Sequence, residues 1–426
     1  MPRTGGHLTR ERIVEKATDL FRRRNYHSVG LSEILRSCGT SKGTFYFYFE
    51  SKQELCEACI NLLGTMMRRI GAAAFEGCSW RQGMERFVLH YLGSYNQPRP
   101  FGMPLTHLGL ELAYTNPILL DQVAGLLREA ESEWAGQLVL AGLARECADG
   151  CAGSVMAAFL GHICRMTLTR DPRFAFTAIS QLEKLPLYRD DAPQKARPRP
   201  QKSPSEGSEN ILDFRQRIWL DIVDERSIIG ALNVSGAVQN CADGKRLEIL
   251  YKAAELFWEW GYHATDLMSI LAECRVPKGS FQYYYKSKKV LATAVLEFYR
   301  LRCRAIIDRA LSQKDWGKTV EYLCAAVARI QKGGSGLGCP LGNMGLEFAN
   351  SDRVAALQVG AILQSMEDAF AGAFQSRGIA AGEARERAAY AVALLQGHEM
   401  RALIYDDPNV VSELREGLLA LLDTIG

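Results

Sequence analysis

The segment Thr40-Ser41-Lys42-Gly43-Thr44-Phe45-Tyr46-Phe47-Tyr48-Phe49 concentrates more usable chemistry than any other part of the chain. On a helix, Phe45 and Phe49 lie four residues apart and share an inward face. That leaves Ser41, Lys42, Thr44 and Tyr46 outside, with Thr40 and Tyr48 at the margins. Hydroxyls, one ammonium and a phenol are the donors and acceptors that suit base edges and phosphates in a major groove. Just beyond, Ser51, Lys52 and Glu54 have the spacing of a capping box, and the free N–H groups of the helix it opens, with Lys52, are placed to hold a phosphate.

The remaining reactive side chains are weaker signals. His162 and Arg165, and again His398 and Arg401, stand three apart on one helix face, where they could bind an anionic effector or make a polar contact within an interface. His107 lies four residues before Glu111 and could line a pocket. Cys56 and Cys59 form a single CxxC, short of the second pair a zinc site requires. The glycine-rich KGGSGLG at 332–338 has no preceding strand and no Lys-Ser/Thr ending, so it reads as a loop. No nucleophile with its base, no metal constellation and no phosphate loop recurs, which argues against an enzyme and predicts neither metal nor cofactor.

These residues are positioned by a unit that occurs twice. A shift of 236 residues places Leu20-Phe21 on Leu256-Phe257, Tyr26-His27 on Tyr262-His263, Lys42-Gly43 on Lys278-Gly279, Pro104-Leu105 on Pro340-Leu341, and Arg165 on Arg401. From Arg10 to Asn116 there are 32 identities in 107 ungapped positions, so the chain is a tandem duplication. Ile13, Ala17, Leu20 and Phe21 form an amphipathic stripe repeated by Ile249, Ala253, Leu256 and Phe257, and no sustained period-2 alternation appears. The fold class expected is all-α, in two consecutive helical units. A short stripe ending at Cys38-Gly39, followed at once by the Ser41-capped segment, is a helix-turn-helix.

With these residues in view, the stretch from Arg10 to Cys59 resembles the DNA-binding domain of the tetracycline-repressor (TetR/AcrR) family of bacterial regulators. The resemblance rests on LFRRRNYHSVGLSEILRSCGTSKGTFYFYFESKQEL, and the second unit follows it with LFWEWGYHATDLMSILAECRVPKGSFQYYYKSKKVL. It carries the reading role onto Lys278, Ser280, Gln282, Tyr284 and Lys288 in the second unit. Arg275 replaces Gly39 there, at a cost of about 1 kcal/mol if the turn keeps a left-handed residue. Gln282 replaces Tyr46, and Val290 replaces Glu54. The second reader should therefore prefer another base sequence or bind less well. The resemblance further implies a pocket for a small-molecule effector in the later helices, and a closing pair of helices in each unit, at 151–169 with 174–186 and at 386–405 with 409–423, that packs with a partner's pair. MPLTHLGLELA, repeated as CPLGNMGLEFA, resembles a stretch near that pocket.

Composition agrees. Apolar residues make up 47% and charged residues 23%, so the bulk should fold, and the twelve cysteines read as reduced hydrophobes. No run approaches the ~18 apolar residues of a membrane span, and the N-terminus lacks a secretory signal, so a cytoplasmic protein without a membrane partner is expected. Residues 1–60 and 244–300 each carry a net +3 while the whole chain is +3, which confines the basic surplus to the two readers. The expected organisation is a first DNA-binding domain at 8–60, a first effector and dimerisation domain at 61–185, and a linker at 186–243, disordered at least over 190–210, in which Ile211–Leu232 could form a docking helix. A second DNA-binding domain at 244–300 and a second effector and dimerisation domain at 301–426 follow. The expected function is a transcriptional regulator, a repressor, whose affinity for a double-stranded operator responds to a small molecule. The linker gives each unit an effective concentration on the order of mM for the other, favouring pairing in cis, with further self-association left open. Two alternatives stand beside this: only the first unit reads DNA, or the chain is an effector-binding scaffold.

Overall fold

The computed structural model describes residues 4–24, 26–95, 104–113, 115–182, 244–332, 338–405 and 409–422, and the linker with its docking-helix segment lies outside them. The first unit consists of α1 (Thr4–Arg24), α2 (Leu31–Cys38), α3 (Lys42–Tyr48), α4 (Lys52–Phe75), α5 (Trp80–Tyr95), α6 (Pro104–Leu112), α7 (Pro117–Leu140), α8 (Arg145–Thr169) and α9 (Arg173–Leu182). The second runs through α10 (Gly244–Trp260), α11 (Leu267–Glu273), a 3₁₀ turn at Lys278–Ser280 that leads into α12 (Phe281–Tyr284), α13 (Lys288–Leu311), α14 (Trp316–Lys332), α15 (Pro340–Ala349), α16 (Arg353–Gln375), α17 (Ala381–Tyr405) and α18 (Val410–Leu419). Every regular element among the described residues is helical.

The helices start where the sequence supplies caps. Asn116 accepts from Leu119 N at 3.1 Å ahead of Pro117, and its counterpart Asp352 accepts from Ala355 N at 3.3 Å. The α1 stripe of Ile13, Ala17 and Phe21 is buried against α2 and α4. Further along, Trp134 of α7 meets Phe87 of α5 edge-on at 5.2 Å and Phe159 of α8 at 5.9 Å, an aromatic knot at the centre of the first unit. The boundaries expected at residues 60 and 300 fall inside unbroken helices, since α4 and α13 run from each reader into the body behind it. The reader is thus rigidly continuous with the body.

The two units meet along α8 and α17. Their closest approach is set by two glycines 236 residues apart: a Cβ added at Gly161 would lie 2.1 Å from Ala393 O, and one at Gly397 would lie 1.7 Å from Ala157 O. Only a missing side chain lets the backbones come this near. Residues Gly150 to Leu168 are all buried, and the hydropathy of α8, sufficient by length and composition for a membrane span, is explained by that burial. Helices α16 and α7 flank the seam, and Arg353 reaches from α16 to the carbonyls of Leu168 and, at 2.7 Å, Thr169.

Candidate nucleic-acid interface

The first reader is built as the spacing anticipates. Gly39 closes α2 in the left-handed region (φ 59°), with its N–H on Arg36 O and the next N–H, from Thr40, on Leu35 O. Ser41 caps α3, its Oγ accepting from Thr44 N at 3.0 Å and lying 2.9 Å from Thr44 Oγ1. Phe45 and Phe49 are buried, while Ser41, Lys42 and Tyr46 are exposed and Thr40, Thr44 and Tyr48 half-buried. The Lys42 ammonium sits 5.9 Å from the centre of the Tyr46 ring. Ser51 caps α4 through Glu54 N at 3.1 Å, and Glu54 answers to the N–H of Glu50 at 2.6 Å, one residue ahead of the cap.

Sequence reasoning missed one exposed group. Phe47 is 74% exposed on α3, and its counterpart Tyr283 is 74% exposed on α12. The signal was available: with positions 45 and 49 turned inward, 46 and 47 must face out.

The two lysines at the helix starts behave differently from the expectation that they would hold phosphates. Lys52 donates to Tyr26 O at 2.5 Å and lies 4.2 Å from the Tyr26 ring centre, and Lys288 repeats this with Tyr262 O at 2.6 Å, the Thr265 carbonyl and the Tyr262 ring. Burial lowers both ammonium pKa values. They are turned inward to tie the α1–α2 and α10–α11 connections to the next long helix.

The second reader departs from the first for identifiable reasons. Arg275 does hold the left-handed conformation (φ 53°) that its position demands, and Val276 N still reaches Leu271 O at 2.9 Å. Pro277 stands in the place of Ser41 and offers no side-chain cap, so the segment starts as a 3₁₀ turn and α12 has four residues. Lys278, Ser280 and Gln282 are exposed, and Tyr284 is half-buried. Ser287 still caps α13 through Val290 N at 3.2 Å, without the reciprocal carboxylate that Glu54 supplies in the first unit.

Each reader is fastened to the body by one half-buried carboxylate. Glu111 of α6 accepts from Tyr26 N at 2.6 Å, and Glu347 of α15 accepts from Tyr262 N at 2.9 Å and His263 N at 2.7 Å. Burial pushes Glu111 up to about 8, with the Glu347 charge adding to the effect, and burial pushes Glu347 up to about 7. The two acids face a shared cavity of about 30 Å³ that also touches His27, His107, His263 and Asn343.

The effector-pocket candidates need correction. His162, Arg165, His398 and Arg401 are buried at the α8–α17 seam, and none of them lines the large cleft of the first unit. His162 Nε2 meets Gln181 Oε1 at 2.7 Å and burial lowers its pKa to about 4; Arg165 contacts Glu367; His398 Nδ1 meets Arg401 Nη1 at 3.3 Å. Their interface reading is the one the packing matches. His107 lines two small cavities, of about 20 and 30 Å³. Cys56 and Cys59 are wholly buried, and burial raises both thiols, that of Cys59 to about 12, which leaves little thiolate for redox or metal chemistry. Among the described residues no three His, Cys, Asp or Glu side chains converge as metal ligands. The large cleft of the first unit, about 1370 Å³ and open to solvent, lies between the end of α4 and α5, α7 and α9, lined in part by Trp80, Gln82, Gln137, Leu140 and Phe176.

Comparison with known proteins locates these features within one family. The model described as bacterial regulatory proteins, tetR family, matches twice, at residues 13–59 and 249–295, and that of the transcriptional regulator LmrA/YxaF-like C-terminal domain matches residues 318–416. The HTH-type transcriptional regulator LmrA of Bacillus subtilis is 27% identical over 130 residues, 30% of this chain and 67% of that protein. The uncharacterised HTH-type regulator YxaF of the same organism is 25% identical over 141 residues, 32% of this chain and 74% of its own length. A TetR transcriptional regulator from Chloroflexus aurantiacus, solved by crystallography, is 23% identical with a TM-score of 0.39, covering 43% of this chain and 96% of that one.

Proposed function

Since the chain belongs to the tetR family and is a DNA-binding transcriptional regulator, we propose that its two units work as an intramolecular pseudo-dimer, a cytoplasmic repressor that places α3 and α12 in successive major grooves of one operator. The observation that carries this is the α8–α17 seam: Gly161 against Ala393 and Gly397 against Ala157 pair the two units through one self-complementary surface. The reading residues are Thr40, Ser41, Lys42, Thr44, Tyr46 and Tyr48 in the first unit, and Lys278, Ser280, Gln282 and Tyr284 in the second, with Phe47 and Tyr283 beside them. Because Tyr46 and Gln282 differ, the operator is asymmetric, with half-sites about one helical turn apart.

A small-molecule effector enters the cleft of the first unit. Binding there changes the packing of α4, which continues into the reader, and so shifts the spacing of the two readers and lowers operator affinity. A second reading is favoured by Pro277 and the four-residue α12: only the first reader contributes base contacts, and the second unit serves as its structural partner. Selection of bound fragments from sheared genomic DNA separates the two, using wild type beside Lys42→Ala/Tyr46→Ala and Lys278→Ala/Gln282→Ala. An asymmetric two-part motif that loses a different half with each variant supports the paired reader. A motif unaffected by the second variant supports the single reader, and no enrichment at low salt without added ligand refutes both.

A further inference from the structure

The charges along the seam were not duplicated evenly. Residues 236 apart occupy matching places in the two units, so the seam contains two junctions related by the repeat. At the first, wholly buried Arg165 of α8 makes a close ion contact with Glu367 of α16 and donates an aligned hydrogen bond to Gln364 Oε1 at 3.0 Å. At the second, Arg401 of α17 grips Glu131 of α7 through bonds of 2.9 and 3.0 Å. Those four residues are reciprocal, because Glu131 matches Glu367 and Arg165 matches Arg401.

The neighbours of the two arginines are not reciprocal. The second junction adds Glu413, bonded to Arg401, and Arg128, which donates to Tyr405 O at 2.9 Å and lies 5.3 Å from the centre of that ring. The Tyr405 hydroxyl in turn donates to Glu131 at 2.7 Å, joining the group into one network. At the first junction the corresponding places hold Thr177 and Gln364, both neutral.

The formal charges show what the unevenness does. With unit one against unit two, the arginine–carboxylate contacts balance at both junctions, Arg165 with Glu367, and Arg401 and Arg128 with Glu131 and Glu413, while Arg353 adds a positive charge on the carbonyls of Leu168 and Thr169 at the end of α8. With unit one against a second unit one, each junction would hold Arg165 and Arg128 against Glu131 alone, an excess positive charge. With unit two against unit two, each would hold Glu413 and Glu367 against Arg401, with Arg353 about three turns from Gln364 on α16, so Glu413 would meet a second carboxylate without the adjacent arginine that Arg128 supplies beside Glu131. An uncompensated charge at a buried contact strongly disfavours the pairing that creates it. Sterics act the same way. A Cβ at Gly153 would lie 2.4 Å from Glu413 Oε2, and unit two carries Ala389 in that place, so a pair of second units would press a methyl onto the carboxylate. Arg128 is at the exposed rim, where solvent screens it, and Glu413 is the more enclosed of the two, its side chain 22% exposed.

From this we infer that the seam is an interaction surface fitted to a single partner, the other unit of this chain, and built against a second copy of either unit. Charge balance and a missing methyl provide the attraction and the rejection that specificity requires. The inference deepens the pseudo-dimer reading and rests on it for the setting in which the surface acts.

The test uses the full chain with a site-specific protease sequence inserted between residues 196 and 205. The protein is weighed whole by native mass spectrometry, cleaved, held to allow exchange, and weighed again. Cleaved wild type should give only particles that contain one unit of each kind. The Arg128→Gln/Glu413→Thr variant makes the arginine–carboxylate contacts alike in every pairing and should relax to about half mixed and half like pairs, the statistical outcome. A third chain, with Thr177→Glu, Gln364→Arg and Ala389→Gly added to those two changes, moves the extra pair to the other junction and should restore exclusive mixed pairing, which a merely loosened fold would not do. Like pairs from cleaved wild type, or exclusive mixed pairing in the Arg128→Gln/Glu413→Thr variant, overturns the inference. A whole-chain mass of two chains that still yields only mixed pairs after cleavage rejects pairing in cis while leaving the inference in place.

Discussion

Alanine should have opposite effects at glycines that differ only in what lies over them. At Gly397 the added Cβ would be 1.7 Å from Ala157 O, and at Gly161 it would be 2.1 Å from Ala393 O. Both obstacles are backbone atoms of a helix, which cannot swing aside as the end of a side chain can, so α8 and α17 must separate. A methyl forced into a packed interior costs about 1–3 kcal/mol even where side chains yield, and here the displaced helices also carry the buried Arg165 and Arg401 pairs. A loss of at least about 3 kcal/mol is expected at either position. Gly125 and Gly136 of α7 have nothing within 4 Å of the same methyl, so alanine there should stabilise by about 0.5–1 kcal/mol through helix propensity alone. Urea unfolding monitored by helical circular dichroism gives the four midpoints. If Gly397→Ala matches Gly136→Ala, the close approach of the seam helices is wrong, and with it the pairing of the two units in one chain.

Further outcomes follow from the readers and their fastenings. Glu111 and Glu347, raised to about 8 and about 7 from 4.5, bind protons in the folded state that the unfolded chain has already released. Their contribution is therefore present in full below pH ~4.5 and is lost as pH rises through 7 and 8, with a slope approaching ~1.4 kcal/mol per pH unit for one proton. Denaturant midpoints taken from pH 5 to 9 should show this fall, and Glu111→Gln should flatten it; an unchanged slope in that variant would place the titration elsewhere. In the second reader, Arg275→Gly removes a left-handed side chain and should stabilise by about 1 kcal/mol, while Pro277→Ser restores a cap worth about 1 kcal/mol. If base reading by α12 is limited by its short first turn, Pro277→Ser should also strengthen protection of the second half-site in footprinting; stability gained with protection unchanged would separate the two.

The duplicated helical framework could be read directly because helix stripes and caps are local. Ile13, Ala17 and Phe21 announce their buried face within a few residues, and Gly39 or Arg275 marks its turn by position alone. What could not be read depends on distant chain. Lys52 has the same neighbours in sequence whether its ammonium meets a phosphate or the carbonyl of Tyr26, and the fold decides for the carbonyl. His162 and Arg165 were visible as one helix face, yet Glu367, which gives Arg165 its meaning, lies two hundred residues away. The clamp made by Glu111 escaped for a similar reason, since a lone carboxylate on an apolar helix shows nothing of the N–H it receives.

On the pseudo-dimer proposal, both seam helices belong to one polypeptide, and assembly of the reader pair would not depend on how many molecules a cell holds. A regulator made from two separate chains loses its paired form on dilution and so needs a minimum abundance, whereas a joined pair is complete at one molecule per operator. Inheritance changes as well. A substitution in a two-chain regulator strikes both half-sites and lets a defective allele poison its normal sibling through mixed dimers; under the proposed pairing in cis each half would vary independently, and a damaged copy would harm only itself.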